Sequence, residues 1–388
     1  MSSAILVLNA GSSSVKFALY DRAALTPLCR GEIEGVGHRA RIDASGPLAT
    51  ALLAANAPPQ ADTHEGWIGW LLHAIRERLP HVAIRAVGHR VVHGGASFSA
   101  PARINAAVLR ELDALAPLAP NHQVANLAAI RAVAADWPDL PQIACFDTAF
   151  HRSQPRLAQL FALPRDLTDA GIVRYGFHGL SYEYIAGVLP DLIGARADGR
   201  VIIAHLGQGA SLCALRARRS IATTMGFTTL DGLMMGTRCG AIDPGVVLYL
   251  LQQNQMSMET VETMLYRQSG LLGVSTISHD VRELEASTDP RAAEAVQLFA
   301  YRAAREMGSL VAALGGLDAL VFSGGIGEHS ASVRQRICDY LQWLGITLDP
   351  VANAQHAARI NATTAAVDVL VIPTNEELVI ARATQAFA

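Results

Sequence analysis

The sequence has 388 residues, half of them hydrophobic, and a formal net charge of -3. That length suits two domains of ordinary size, and the near-neutral balance argues against nucleic acid or an anionic membrane as the main partner. Cys29, Cys145, Cys213, Cys239 and Cys338 are odd in number and form no CxxC pair, which predicts reduced thiols rather than a disulfide framework or a zinc site. No stretch approaches the ~20 apolar residues of a membrane helix. The opening residues lack the basic start and long apolar run of a secretory signal, so the expectation is a cytoplasmic protein.

The first element is apolar Ile5-Leu6-Val7-Leu8, followed by the turn Asn9-Ala10-Gly11-Ser12-Ser13-Ser14 and then Val15-Lys16-Phe17-Ala18-Leu19. Alternation around a Gly/Ser turn predicts a β-hairpin. The segment Ala54–Thr63 reads as a surface loop. Helical spacing predicts helices from Glu65 to Leu79 and from Asn126 to Trp137, each stopping before a proline. Strands are predicted at Ile84–Val92 and Gln142–Phe146. Half a chain after the first hairpin a similar unit appears: Val201–Leu206, the turn Gly207-Gln208-Gly209-Ala210-Ser211, and Leu212–Leu215. Two such units point to a duplicated domain with a cleft between the copies. Further on, the strand Leu317–Phe322 runs into Ser323-Gly324-Gly325-Ile326-Gly327, a helix is predicted from Ser332 to Leu344, and a last strand at Val367–Ile372. Strands alternating with helices define an α/β class.

Several turns have the chemistry of a phosphate site. The first supplies serine hydroxyls, backbone amides freed by Gly11, and Lys16 on the next strand, without the spacing of a Walker loop. Alone it reads better as an ordinary Ser-rich hairpin. The glycine turns at 207–209 and 324–327 let backbone approach a ligand closely, and three such turns after strands favour a nucleotide cleft. Arg90, in Gly88-His89-Arg90-Val91-Val92-His93-Gly94-Gly95, and Arg238, in Met235-Gly236-Thr237-Arg238-Cys239-Gly240, each stand among glycines, and a pair of arginines suits two anionic partners of a phosphoryl transfer. Asp147 and Glu376 or Glu377 follow predicted strands, where a carboxylate is placed to hold magnesium or orient a nucleophile. The glutamates also read as N-terminal acids of a helix over Leu378–Ala383, with Thr374 capping. His178 is a lone histidine among aromatics and glycines, for which a satisfied core histidine is the default. No HExxH motif is present: His89 and His93 have its spacing, but Arg90 stands where the glutamate would be.

In order along the chain stand LNAGSSSVK, VGHRVVHGG, LAPNHQVANL, FDTAFH, RYGFHG, HLGQGAS, TMGFTTLDGLMMGTRCG, SGLLGVS, SGGIGEHS and PTNEELVIAR. Together they resemble the acetate kinase family over nearly the whole chain. The resemblance implies two duplicated ribonuclease-H-like, actin-like ATPase domains around a nucleotide cleft, in a homodimer. It implies an acyl- and phosphate-side domain of residues 1–148 with 373–388, and a nucleotide-binding domain of residues 149–372. The implied reaction is direct in-line transfer from ATP to a carboxylate, with Mg2+ as the ion and Mn2+ as its substitute. Asn9, Ser12, Ser14 and Lys16 then lie near phosphates and metal, with Glu376 holding magnesium beside Asn9. Arg90 and Arg238 hold the carboxylate and the moving phosphoryl group, Asp147 orients substrate or metal, and His178 stabilises the transition state. Val92, Asn121, Phe177 and Thr229 line the acyl pocket. His205, Gly207, Gln208 and Gly209 serve the phosphates, and Asp280, Val281, Arg282, Gly324, Gly325, Ile326 and Gly327 the nucleoside.

The chain departs from the usual pattern at Asn121 (commonly Leu) and Thr229 (commonly Pro). A pocket for a bare methyl group needs neither a carboxamide nor a hydroxyl, which raises a larger or hydroxylated acid such as glycolate or lactate. Gln208, His329, Ala241, Leu180 and Tyr182 also differ from the family's Asn, Asn, Asp, Thr and His. Rival readings are a propionate or butyrate kinase, a pyrophosphate-using relative, and a weakly catalytic nucleotide-binding regulator.

Overall fold

The computed structural model describes residues 2–11, 13–37, 40–55 and 63–388, excepting the side chains of Pro120 and Asn121. Ser12, Asn121 as a side chain, and most of the expected loop at Ala54–Thr63 therefore lie outside the described residues. The chain divides into two compact units, Met1–Phe150 with Asn375–Ala388, and His151–Thr374.

In the first unit the hairpin is β1 (Ser2–Ala10) and β2 (Ser14–Asp21), joined by β3 (Pro27–Glu34), β4 (Arg41–Ser45), β5 (Val82–Val91), β6 (Ala102–Arg103) and β7 (Gln142–Phe146). The sheet order is β4-β3-β2-β1-β5-β7-β6. β1, β5 and β7 run parallel, so Asn9, Arg90 and Asp147 fall at neighbouring C-terminal strand ends, the edge where α/β sheets take ligands. Helix His64–Arg78 starts at Thr63, whose side chain accepts from Gly66 N, and buries Trp67, Ile68, Leu71, Leu72 and Ile75 against Leu6, Leu8, Phe17 and Leu19. The second expected helix begins earlier than its apolar spacing suggested, at Pro120, and ends at Asp136; proline is tolerated in a first turn because its missing N–H has no helical partner there. The C-terminal helix, Glu376–Gln385, lies on β5. A Cβ on Gly88 would come within 2.2 Å of Thr384 Oγ1 and 2.5 Å of Ile380 Cγ2, so glycine sets that close approach. The cap of this helix is Asn375, which accepts from Leu378 N, and not Thr374.

The second unit repeats the pattern with β8 (Arg200–Leu206), β9 (Ala210–Arg216), β10 (Arg219–Thr223), β11 (Ala319–Ser323) and β12 (Asp368–Val371), in the order β10-β9-β8-β11-β12. Three antiparallel strands followed by parallel neighbours also make up the β3-β2-β1-β5-β7 part of the first sheet, so the two halves share one topology. The long helix Pro290–Leu314, capped by Asp289, buries Phe299, Met307 and Leu310. The glycine run after β11 forms a short helix, Gly324–His329, where sequence suggested only a turn. The helix expected from Ser332 to Leu344 ends at Asp339, and Gln342–Leu344 is a separate 3-10 turn. No helix among the described residues is long and apolar enough to cross a membrane.

Candidate active site

The first unit gathers its charges around Arg90. Its guanidinium grips Asp147 through Nε to Oδ1 at 3.0 Å and Nη2 to Oδ2 at 2.6 Å. Nη1 donates to Asn9 Oδ1 at 3.2 Å and stands 3.8 Å from the Glu376 carboxylate. Burial works against the charge of Arg90, but Asp147, Glu376 and Glu377 outweigh it and raise its pKa. Burial, with Asp147 and Glu377 adding to it, pushes the Glu376 carboxyl up to about 7, against the pull of Arg90 and Lys16. Of the two glutamates, Glu376 faces Arg90, while Glu377 lines a groove of ≈ 570 Å³ with Lys16, Arg30 and Glu32. Lys16, the only lysine in the sequence, is half exposed and 3.8 Å from Glu32.

The turn after β1 is held from two sides. Gly11 N donates to Ser14 O at 2.8 Å, and His64 Nε2 lies 2.7 Å from Gly11 O as its donor. Buried Asn126 accepts from Val92 N at 2.9 Å and donates to Ala10 O at 2.7 Å, tying the ends of β5 and β1 together. Gln123 likewise accepts from His93 N, and Thr148 Oγ1 from Gly94 N. Sequence reading assigned no role to His64, Gln123 or Asn126; the signal for the last two is an amide at an otherwise apolar helical position.

In the second unit, β8 ends at the Gly207–Gly209 turn and β11 at Gly324. A Cβ on Gly324 would lie 2.7 Å from Leu206 O, and one on Gly207 would lie 3.9 Å from Gly325 N, so the two glycine turns abut. A Cβ on Gly209 would lie 3.3 Å from His178 Nε2 and 3.7 Å from Arg238 Nη1. An imidazole and a guanidinium thus converge on one point above this turn. Arg238 also donates to Thr229 O at 3.0 Å, and burial holds its pKa below the ordinary arginine value, with Tyr266 opposing. His178 stacks on His205 with ring centres 4.4 Å apart. Phe177, just before it, is buried, and its carbonyl accepts from His151 Nε2 at 2.9 Å.

Next to these turns is a cavity of ≈ 360 Å³ lined by Gly207, Gln208, Asp280, Val281, Arg282, Gly325 and Ile326, together with His279, Glu285, His329 and Ser330. Glu285 and Ser330, which accept and donate one hydrogen bond at 2.9 Å, were not anticipated from sequence. Arg282 folds back on Asp280 at 2.6 Å. Gly324 and Gly327 lie behind the lining: Gly324 N donates to Glu328 Oε1, and Gly327 O accepts from the buried Arg334.

Buried histidines add a pH dependence. Burial pushes His89, His93 and His151 down to about 4, so the fold holds them neutral while the unfolded chain protonates them near 6.5. Their stabilisation is full above about pH 6.5 and is lost as pH falls toward 4. Glu376, raised instead, opposes them by one proton over its own window. The net excess of about two protons bound by the unfolded chain lowers stability by about 3 kcal/mol per pH unit near pH 5.5. The urea midpoint should therefore fall clearly between pH 7.5 and 5.5; a constant midpoint would contradict this account.

Two duplicated sheets with glycine turns at their strand ends, arginines beside those turns and an adjoining cavity define a phosphotransferase of the actin-like ATPase fold. The Acetokinase family model matches residues 4–382, and the chain belongs to that family, whose members phosphorylate a carboxyl group. An acetate kinase of Rhodopseudomonas palustris is 56% identical over 98% of both chains. Among solved structures, a propionate kinase from Francisella tularensis superposes with TM-score 0.91 at 37% identity, covering 99% of each chain. The acetate kinase of Porphyromonas gingivalis does so with TM-score 0.87 at 33% identity, over 99% of each.

Proposed function

We propose that this chain transfers a phosphoryl group from ATP directly to acetate, giving acetyl phosphate and ADP; relatives similar to it over nearly their whole length are named acetate kinases. The observation that carries this reading is the convergence of His178 Nε2 and Arg238 Nη1 above the Gly209 turn. A carboxylate is already anionic at neutral pH, so the reaction needs little proton transfer and much charge neutralisation around a planar phosphoryl group. Arg238 and His178 supply that. Arg90, fixed by Asp147, holds an anion on the first unit, with Asn9, Ser12, Ser14 and Lys16 as phosphate and metal contacts. Val92, Asn121, Phe177 and Thr229 form the acyl contacts, and the 360 Å³ cavity takes the nucleoside.

Magnesium is part of the proposal. Among the described residues no cluster of three or more His, Cys, Asp or Glu could cage a metal. Magnesium does not require one, since it is commonly held by one or two carboxylates together with phosphate oxygens and water. Glu376, with Asn9 nearby, fits that donor set, and carboxyls crowded around a single arginine favour an added cation. Bound there, the ion would offset phosphate charge. The homodimer is supported by helix Pro244–Gln252, none of whose residues is buried and which exposes Leu248 and Tyr249. A cytoplasmic place is supported by an odd number of cysteines with no CxxC pair, as suits reduced thiols.

Hydroxamate trapping of acyl phosphate, with ATP and magnesium, over acetate, propionate, butyrate, glycolate and lactate tests the reading. Acetate should have the highest kcat/KM, ahead of butyrate by about 10-fold or more, the discrimination available to a small apolar pocket. Arg238→Ala should lose ~10³-fold in kcat. Turnover of hydroxy acids alone would make Asn121 and Thr229 specificity residues and overturn the assignment to acetate. ATP binding without any acyl phosphate would favour the regulator.

A further inference from the structure

His178 does not stand alone in its unit. Its backbone is left-handed, with φ 59° and ψ 23°, at the residue preceding helix Gly179–Ile193. A non-glycine residue seldom adopts that conformation, which is strained and is found mostly at functional sites. Its Nδ1 lies 2.8 Å from Ser211 Oγ. Ser211 is fully buried on β9, and its hydroxyl also lies 2.5 Å from the OH of Tyr182, itself fully buried one turn along the helix. His205, stacked on His178, is tied in the same way, with its Nδ1 2.9 Å from Ser181 Oγ.

The donors and acceptors of this chain have a preferred direction. Burial raises the pKa of Tyr182 well above its ordinary value, so the phenol keeps its proton and has one to donate. If Tyr182 donates to Ser211 Oγ, the serine has its own proton to give to His178 Nδ1. Nδ1 then accepts, and the ring proton sits on Nε2, the atom facing the point shared with Arg238. A doubly protonated ring is opposed twice. It would give Ser211 Oγ a second donor and leave the serine proton without either of these partners, and it would set a charge against the stacked His205 ring.

Resting on the reading that His178 faces the transferred phosphoryl group, we infer that Ser211, oriented by Tyr182, is a positioning residue that fixes His178 as the neutral Nε2–H tautomer, so that it meets the phosphoryl oxygens as a hydrogen-bond donor.

The test uses the full-length protein with 15N-labelled histidine. Two-bond nitrogen–proton correlation reports the tautomer of His178, whose signals are assigned by their loss in His178→Ala. The wild type should show the Nε2–H pattern at neutral pH. Ser211→Ala should lose that single pattern and lower kcat by about 10- to 100-fold, the range for removing a histidine's orienting partner. KM for acetate and ATP should change much less. Tyr182→Phe should lower kcat by a smaller factor in the same direction. A wild-type His178 protonated on Nδ1, or on both nitrogens, overturns the inference, as does a Ser211→Ala enzyme with unchanged kcat while His178→Ala is inactive. Full activity in His178→Ala would instead overturn the site assignment on which the inference rests.

Discussion

Arg90→Ala is expected to reduce kcat/KM by about 10³-fold, the scale for removing a charged group that acts on a transferring phosphoryl group. Among the described residues the guanidinium is the only cation directly paired with Asp147, and it also touches Asn9 and approaches Glu376. Its removal leaves the Asp147 carboxylate without this partner, close to Glu376, whose carboxyl pKa is raised by burial, Asp147 and Glu377 and held down by Arg90. The variant should therefore also lose stability, by about 3–5 kcal/mol if the partner charge stays uncompensated. Arg90→Lys separates the two effects. Lysine restores a positive charge but cannot make the two-pronged contact that Nε and Nη2 make with Asp147, so melting should recover more than activity. Steady-state kinetics beside thermal melting would decide. Activity of Arg90→Ala within 10-fold of wild type would remove Arg90 from the reaction.

Arg334→Met is expected to destabilise the second unit by about 3–5 kcal/mol, through the buried acceptors it leaves unpaired, and to raise KM for ATP. Arg334 is fully buried, and its hydrogen bonds run to neutral acceptors: Asn353 Oδ1 and O at 2.8 Å, Gly327 O at 2.8 Å, Glu328 O at 2.9 Å and His356 Nδ1 at 3.0 Å. Methionine fills much of the volume but satisfies none of these carbonyls, and each one left unpaired costs about 1–3 kcal/mol. Two of them belong to the short helix that begins at Gly324 and whose Gly325 and Ile326 line the cavity proposed for the nucleoside. Loosening its end should therefore be felt in nucleotide binding before acetate binding. A drop of roughly 8–15 °C in the melting midpoint follows from the usual scaling for a unit of this size. An unchanged midpoint would show that the site relaxes or hydrates at little cost.

The placement of Arg334 could not be anticipated. In the sequence it is one arginine in a polar helix, Ala331–Asp339, and an exposed arginine is the ordinary expectation. The Arg90 grouping was partly legible: the residue types stood in their motifs, but the pairing with Asp147 depends on β5 and β7 being parallel neighbours, which 57 residues of separation do not disclose. β3 and the edge strands β4 and β10 were missed for a related reason. Pro27–Glu34 and Arg41–Ser45 have weak alternation and several charges, so pairing, of the first to β2 and of the second to β3, and not local propensity, makes them strands. By contrast β7 matched its expected residues, because five consecutive apolar or buried positions between a proline and a polar turn leave little alternative.

The sequence by itself determined the class, the duplicated hairpin units and the order of the site motifs, since alternation, glycine turns and strand-end carboxylates are properties of short segments. It also determined the family, because ten such segments in one order constrain the whole chain. Only the tertiary structure decided which of Glu376 and Glu377 faces Arg90, that Asn375 caps the final helix, that Asn126 joins two strand ends, and that Ser211 and Tyr182 stand behind His178. Those facts depend on side chains from distant segments meeting at hydrogen-bond distance, and such meetings follow from packing and strand register, which no single segment encodes.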